Sequence, residues 1–133
     1  MEKRNGKAGM ELLSLLRQQR YLYHELKMLT DRQHQLAGTN SPELVLEVIS
    51  GRRKLVEKLR ELNDKLGSIK ADWPKLSRRI EPEHKVQARK MASEVQAIIG
   101  EIVAVASSEM AQNLPLNENC SFDELFVERQ PQQ

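Results

Sequence analysis

The sequence is poor in the residues that crosslink a chain, interrupt a helix or fill a core with rings. A single cysteine, Cys120, in 133 residues excludes an intramolecular disulfide. Aromatic residues make up only 4% of the chain, so burial has to rest on Leu, Val, Ile, Met and Ala, which suits packed helices better than sheets. The six glycines and five prolines are few, with clusters near positions 38 to 42, 67 to 74 and 113 to 117, leaving long stretches free to be helical. No long hydrophobic run exists: the most apolar stretch, Val95 to Ala106, is interrupted by Gln96 and Glu101 and falls short of the roughly 20 residues a spanning helix needs. Met1 to Gly9 is charged and lacks an apolar signal core, so the expected setting is cytoplasmic, with no membrane span. The length fits one domain with one modest core.

Catalytic patterns are also missing. His24-Glu25 begins like a zinc-protease helix, but position 28 is Met, where the second histidine would have to stand one turn on. His34 and His84 have no His or Cys at ligand spacing, which points away from metal. There is no Gly-rich phosphate loop, no nucleophile elbow and no carboxylate cluster, and Cys120 has acidic neighbours that disfavour a thiolate. Asn119-Cys120-Ser121 matches a glycosylation sequon, but without a signal peptide it is read as chance. The expectation is a non-enzyme with no cofactor.

The net charge of +2 hides an asymmetry, because residues 1–113 hold 20 Lys and Arg against 15 Asp and Glu, while residues 114–133 hold one against four. Along the helical stretches the basic residues alternate with Glu, as in Arg52, Arg53, Lys54, Glu57, Lys58, Arg60, Glu61 and Lys65. That is the pattern of a solvated helix face, and no nucleic-acid partner is expected.

What the sequence does contain is periodicity. Leu12, Leu15, Gln19, Leu22, Leu26, Leu29, Gln33 and Leu36 follow an alternating three-four spacing, the seam of a helix packed on another helix. Leu13, Leu16 and Tyr23 widen this stripe, so the helix should meet more than one neighbour. Gly38 then suits a helix stop, and Ser41-Pro42-Glu43 offers an N-cap, an N1 proline and an acidic first turn. A second seam follows with the same spacing: Val45, Val48, Arg52, Leu55, Leu59, Leu62, Leu66 and Ile69. Two helices of about 27 residues, each about 40 Å long, joined by a short turn should pack antiparallel. Trp73-Pro74 predicts a break with at most a short helical turn.

A third helix should open at Pro82-Glu83 and run to about Asn113. Met91, Val95, Ile98, Ile102 and Val105 form one seam, and Ala92, Ile99, Val103, Ala106 and Met110 form a second beside it. Together they cover more than the roughly 100° stripe a surface helix buries. Beyond Leu114-Pro115 the composition turns to Asn, Glu and Gln, with Phe122, Leu125, Phe126 and Val127 as apolar anchors, the signature of a tail that orders only on binding. The expected fold is all-α: a long antiparallel hairpin plus a third long helix, as a three-helix bundle or coiled-coil-like packing. Residues 1–9 form a basic N-terminal segment, residues 10–113 the helical domain (about 10–37, 42–70 and 82–113), and residues 114–133 an acidic flexible tail, expected to be disordered until bound.

Three segments carry a family likeness: Glu11-Leu12-Leu13-Ser14-Leu15-Leu16, the restart Ser41-Pro42-Glu43-Leu44, and the run from Gly51-Arg52-Arg53-Lys54 to Leu59-Arg60-Glu61-Leu62-Asn63. Across about residues 10–113 the chain resembles the FlgN-type flagellar export chaperones, cytoplasmic helical proteins that hold hook-associated subunits before type III secretion. The resemblance implies no catalytic residues, and binding of a partner's C-terminal region through the C-terminal half. The short, acidic, aromatic-bearing tail departs from the family pattern. On this reading Val95, Ile98, Ile99, Ile102, Val103 and Met110 accept an amphipathic helix of the secreted subunit, and Phe122, Leu125 and Phe126 close over it. Alternatively, the second stripe is core or a homodimer seam, or the chain is a coiled-coil adaptor or structural subunit of a larger assembly.

Overall fold

In the computed structural model residues 6–105 are described, and they form four helices and no strand: α1 (Gly6–Leu36), α2 (Pro42–Ala71), the single turn α3 (Trp73–Leu76) and α4 (Pro82–Val105). The all-α bundle expected from the periodicity is what forms. Part of the supposed basic N-terminal segment is already helix, because α1 starts at Gly6 and Gly9 is buried. The stretch expected to carry the last helix on to residue 113, and the whole of the tail, lie outside the described residues.

Each boundary has a local cause. Gly38 takes φ 85°, a left-handed conformation open to glycine at little cost, and the amides of Ala37 and Thr39 turn back onto the carbonyls of Gln33 and Leu36 at 3.1 and 3.0 Å. The Thr39 hydroxyl donates a further 2.7 Å bond to Leu36 O, helping to satisfy the carbonyls that a helix end leaves open. Pro42 opens α2 with Glu43 in its first turn. Ser41 stands at the N-cap position, but its hydroxyl makes no capping bond, so proline and acidic charge are what mark this start. α2 stops at Asp72 (φ −93°, ψ 9°), one residue before the expected break. Trp73 and Pro74 together begin α3, where a proline costs no intrahelical hydrogen bond.

α1 is the central element. It packs closely along both α2 and α4, whereas the backbones of α2 and α4 scarcely approach each other. The pairings Gln19 with Asn63 and Gln33 with Arg52 show α2 running antiparallel to α1. Arg20 with Glu94 and Lys27 with Glu101 show α4 running parallel to it. Gly9 explains one close approach, since a Cβ there would run into the His84 ring of α4.

No residue of either hairpin seam is exposed. The extra stripe of α1 is used as well: Leu13, Leu16 and Tyr23 are 4%, 0% and 0% accessible, facing the second neighbour that the widened stripe required. The core divides in two. One part joins Leu12 and Leu16 of α1 with Leu66 of α2, Ala88 and Met91 of α4, and Ile80 from the connection before α4. The other joins Tyr23 and Leu26 with Leu59 and with Val95, Ile99 and Ile102.

Between the two lies a buried polar layer. Gln19 Nε2 donates to Asn63 Oδ1 at 3.0 Å, and Asn63 Nδ2 donates to the Tyr23 hydroxyl at 3.4 Å. A satisfied polar layer of this kind costs burial energy and fixes the register of the helices around it. The other polar seam pair meets near the hairpin tip, where Arg52 Nη1 donates to Gln33 Oε1 at 3.4 Å. Burial lowers the Arg52 pKa from its ordinary value, and its Nε is buried without a partner among the described residues.

Candidate functional site

The partner-binding face expected on α4 is largely occupied. Val95, Ile99 and Ile102 are 2%, 8% and 1% accessible and belong to the core with Tyr23, Leu26 and Leu59. Ile98 packs half-buried against the same group, and only Val103 is exposed. The physical reason is the position of α1: with a helix on one side only, the double stripe of α4 would be in surplus, but α1 together with α2 side chains covers Met91, Ala92, Val95, Ile99 and Ile102 from the two seams and leaves Val103 open. Met110, Phe122, Leu125 and Phe126 lie outside the described residues.

An open concave surface lies on the opposite flank, between α1 and α2. A groove of about 440 Å³ is lined by Arg17, Gln18, Tyr21 and Leu22 from α1 and by Lys58, Glu61, Leu62 and Lys65 from α2. The spacing 17, 18, 21, 22 on one helix and 58, 61, 62, 65 on the other is that of neighbouring turns on facing surfaces. Leu22 and Leu62 are the seam residues at its floor, and Leu62 is buried. Arg17, Lys58 and Lys65 are exposed at its edges with Glu61 among them, so cations outnumber the carboxylate. None of these four charges has an ion-pair partner among the described residues.

Tyr21 is the feature that stands out, since its side chain is left 61% accessible beside this groove in a chain with so few aromatics. It falls outside the α1 seam, so heptad spacing gives no reason to single it out. A signal does exist in the sequence. At 3.6 residues per turn, Met10, Tyr21 and Met28 fall within about 20° of one line on α1, and all three are exposed. They sit opposite the buried stripe, which makes them a second apolar line on a helix whose other face is already full.

On the α4 side of α1 the surface is closed by charge pairs. Arg20 meets Glu94 at 3.1 Å, and Lys27 meets Asp31 at 3.0 Å and Glu101 at 3.8 Å. The hydrogen bond and charge of Asp31, with a lesser share from Glu101, raise the Lys27 pKa above its ordinary 10.5. The two edges of α1 therefore differ in kind: paired charges face α4, and cations without an ion-pair partner among the described residues face the groove.

No group of three or more His, Cys, Asp and Glu able to hold a metal ion occurs among the described residues, and no helix among them is long and apolar enough to cross a membrane. The arrangement can offer an apolar floor, an aromatic side chain and a cationic rim to an elongated guest. Set against protein-family models, curated proteins and solved structures, the chain matches none.

Proposed function

We propose that the protein is a non-enzymatic export chaperone of FlgN type, which holds an amphipathic helix of a secreted flagellar hook-associated subunit in the cytoplasm before type III secretion. The guest lies along the groove between α1 and α2. Its apolar edge rests on Leu22, Leu62 and Tyr21, and acidic side chains along that edge meet Arg17, Lys58 and Lys65. The observation that supports this reading is the pairing of an exposed tyrosine with unpaired cations over a leucine floor. Helix-in-groove recognition uses such a floor for affinity, and the charged rim sets orientation and speeds encounter. A shielded subunit helix cannot enter its own coiled-coil assembly early, which is what a holding protein has to achieve.

The test is calorimetric titration of the full chain with a peptide from the C-terminal helical region of a hook-associated subunit. Tyr21→Ala should weaken binding by about tenfold, since a central aromatic anchor carries 1–2 kcal/mol or more. Lys58→Glu with Lys65→Glu should weaken it further and flatten its salt dependence. Equal binding by all three proteins, with unchanged circular dichroism, would overturn the proposal.

One observation favours a second reading, a coiled-coil adaptor or structural subunit in permanent contact with its own kind. Met10 and Met28 carry the exposed line of α1 well past the groove at both ends. In that case the chain alone should sediment as a dimer that Met28→Lys weakens.

A further inference from the structure

We infer that the groove between α1 and α2 is also the docking site of the protein's own acidic segment around Phe122-Asp123-Glu124-Leu125-Phe126, which occupies it in the absence of a guest. The inference rests on the groove being a helix-docking surface, as proposed above, and adds its regulation.

Charge complementarity is the first support. Arg17, Lys58 and Lys65 stand around the groove without ion-pair partners among the described residues, against the single carboxylate of Glu61. Residues 114–133 hold four acidic side chains and one basic one. The other described cationic edge of α1 is already matched, since Arg20 and Lys27 are paired to Glu94, Asp31 and Glu101.

Apolar spacing is the second. Phe122, Leu125 and Phe126 follow an i, i+3, i+4 pattern, with Asp123 and Glu124 between them. Such a segment presents an apolar edge and adjacent carboxylates when it winds into a turn. The groove offers matching groups, with Leu22 and Leu62 in its lining, the exposed Tyr21 beside them, and Arg17, Lys58 and Lys65 around them.

Reach is the third. α1 and α4 run parallel, with Arg20 bonded to Glu94, 74 positions on. The groove at Arg17 and Tyr21 is therefore level with Met91 to Val95 on α4, roughly 15–20 Å back along the bundle from Val105. The 17 residues from Val105 to Phe122 can span up to roughly 55–60 Å when extended. That upper bound exceeds the roughly 15–20 Å return to the level of the groove. Docking of a segment of the same chain is intramolecular, so a weak contact is enough to keep it seated, and a guest helix must displace it.

Cys120, the only cysteine, stands two residues before Phe122 and gives a direct test on the full chain. A nitroxide attached there should cause loss of amide signal intensity at Gln18, Tyr21, Glu61 and Lys65. Val86 and Arg89, on the exposed outer face of α4 at a similar level, should keep theirs. Asp123→Lys with Glu124→Lys should abolish the loss, as should high salt. Uniform intensity across the molecule, or loss centred elsewhere, would overturn the inference. So would loss appearing when isotope-labelled chain without nitroxide is mixed with nitroxide-bearing chain, since the segment would then dock on a second copy. No guest is present in this measurement, so its failure leaves the peptide titration as an independent test of the docking groove. If both readings hold, the Asp123→Lys, Glu124→Lys protein should bind the subunit peptide several-fold more tightly than the native chain, whereas equal binding would remove the regulatory role.

Discussion

At the scale of single residues, Asn63 is the position on which the bundle's register depends. It is 4% accessible, accepts from Gln19 and donates toward Tyr23. Truncation strands the buried amide of Gln19, and such a group costs about 1–3 kcal/mol. Asn63→Ala should therefore lower the urea-unfolding free energy by about that amount, more than Asn63→Ala costs in a background where Gln19 is already Leu. Additivity of the two changes would show that the pair is not coupled. Gln19 was marked by its place in a leucine seam, whereas its partner was not. Asn63 lies one position beyond Leu62, off the a/d spacing, and only the angle at which α2 meets α1 turns it inward. Tyr21 is the converse case, an aromatic side chain that packing leaves outside.

At the scale of elements, α4 separates what periodicity can say from what it cannot. Its two apolar stripes were legible, and so was the fact that they exceed what one hairpin needs. Which stripe would be free was not, because that depends on how deeply α4 settles against α1. Ile99 and Val103 lie on one stripe with different surroundings, 8% and 41% accessible. Ile99→Asp places an unpaired charge in the core beside Tyr23 and Leu26, and should destabilise by about 3–5 kcal/mol or unfold the chain. Val103→Asp should change stability by less than about 0.5 kcal/mol, as expected for a surface site. Thermal or urea unfolding of the two variants decides the matter, and equal effects would contradict the placement of α4. The connections divide in the same way. Gly38 and Pro42 signal their turn by backbone conformation alone. Ile80, buried at 2% in the link before α4, belongs to no periodic run and is made core by tertiary packing.

At the scale of the whole molecule, both neighbours of α1 pack along it while their own backbones scarcely approach each other, so stability is concentrated in one helix. Local opening of α2 or α4 leaves α1 half covered, whereas α1 can open only when everything does. Native-state hydrogen exchange should therefore find the slowest amides in α1 between Leu12 and Leu26, near the global limit. Slower exchange in α4 than in α1 would refute this arrangement. The same asymmetry leaves a groove on the α2 side whose charges have no ion-pair partner among the described residues, while the α4 side is closed by ion pairs.

Hydrophobic spacing, the placing of glycine and proline and the scarcity of aromatics determined, from the sequence alone, the helices, the hairpin and the need of α1 for two partners, because these follow from local geometry that each residue imposes on its own turn. Tertiary structure alone decided which apolar stripe is core and which surface is left open. That choice is set by how the rigid helices settle against one another, and no single helix encodes it.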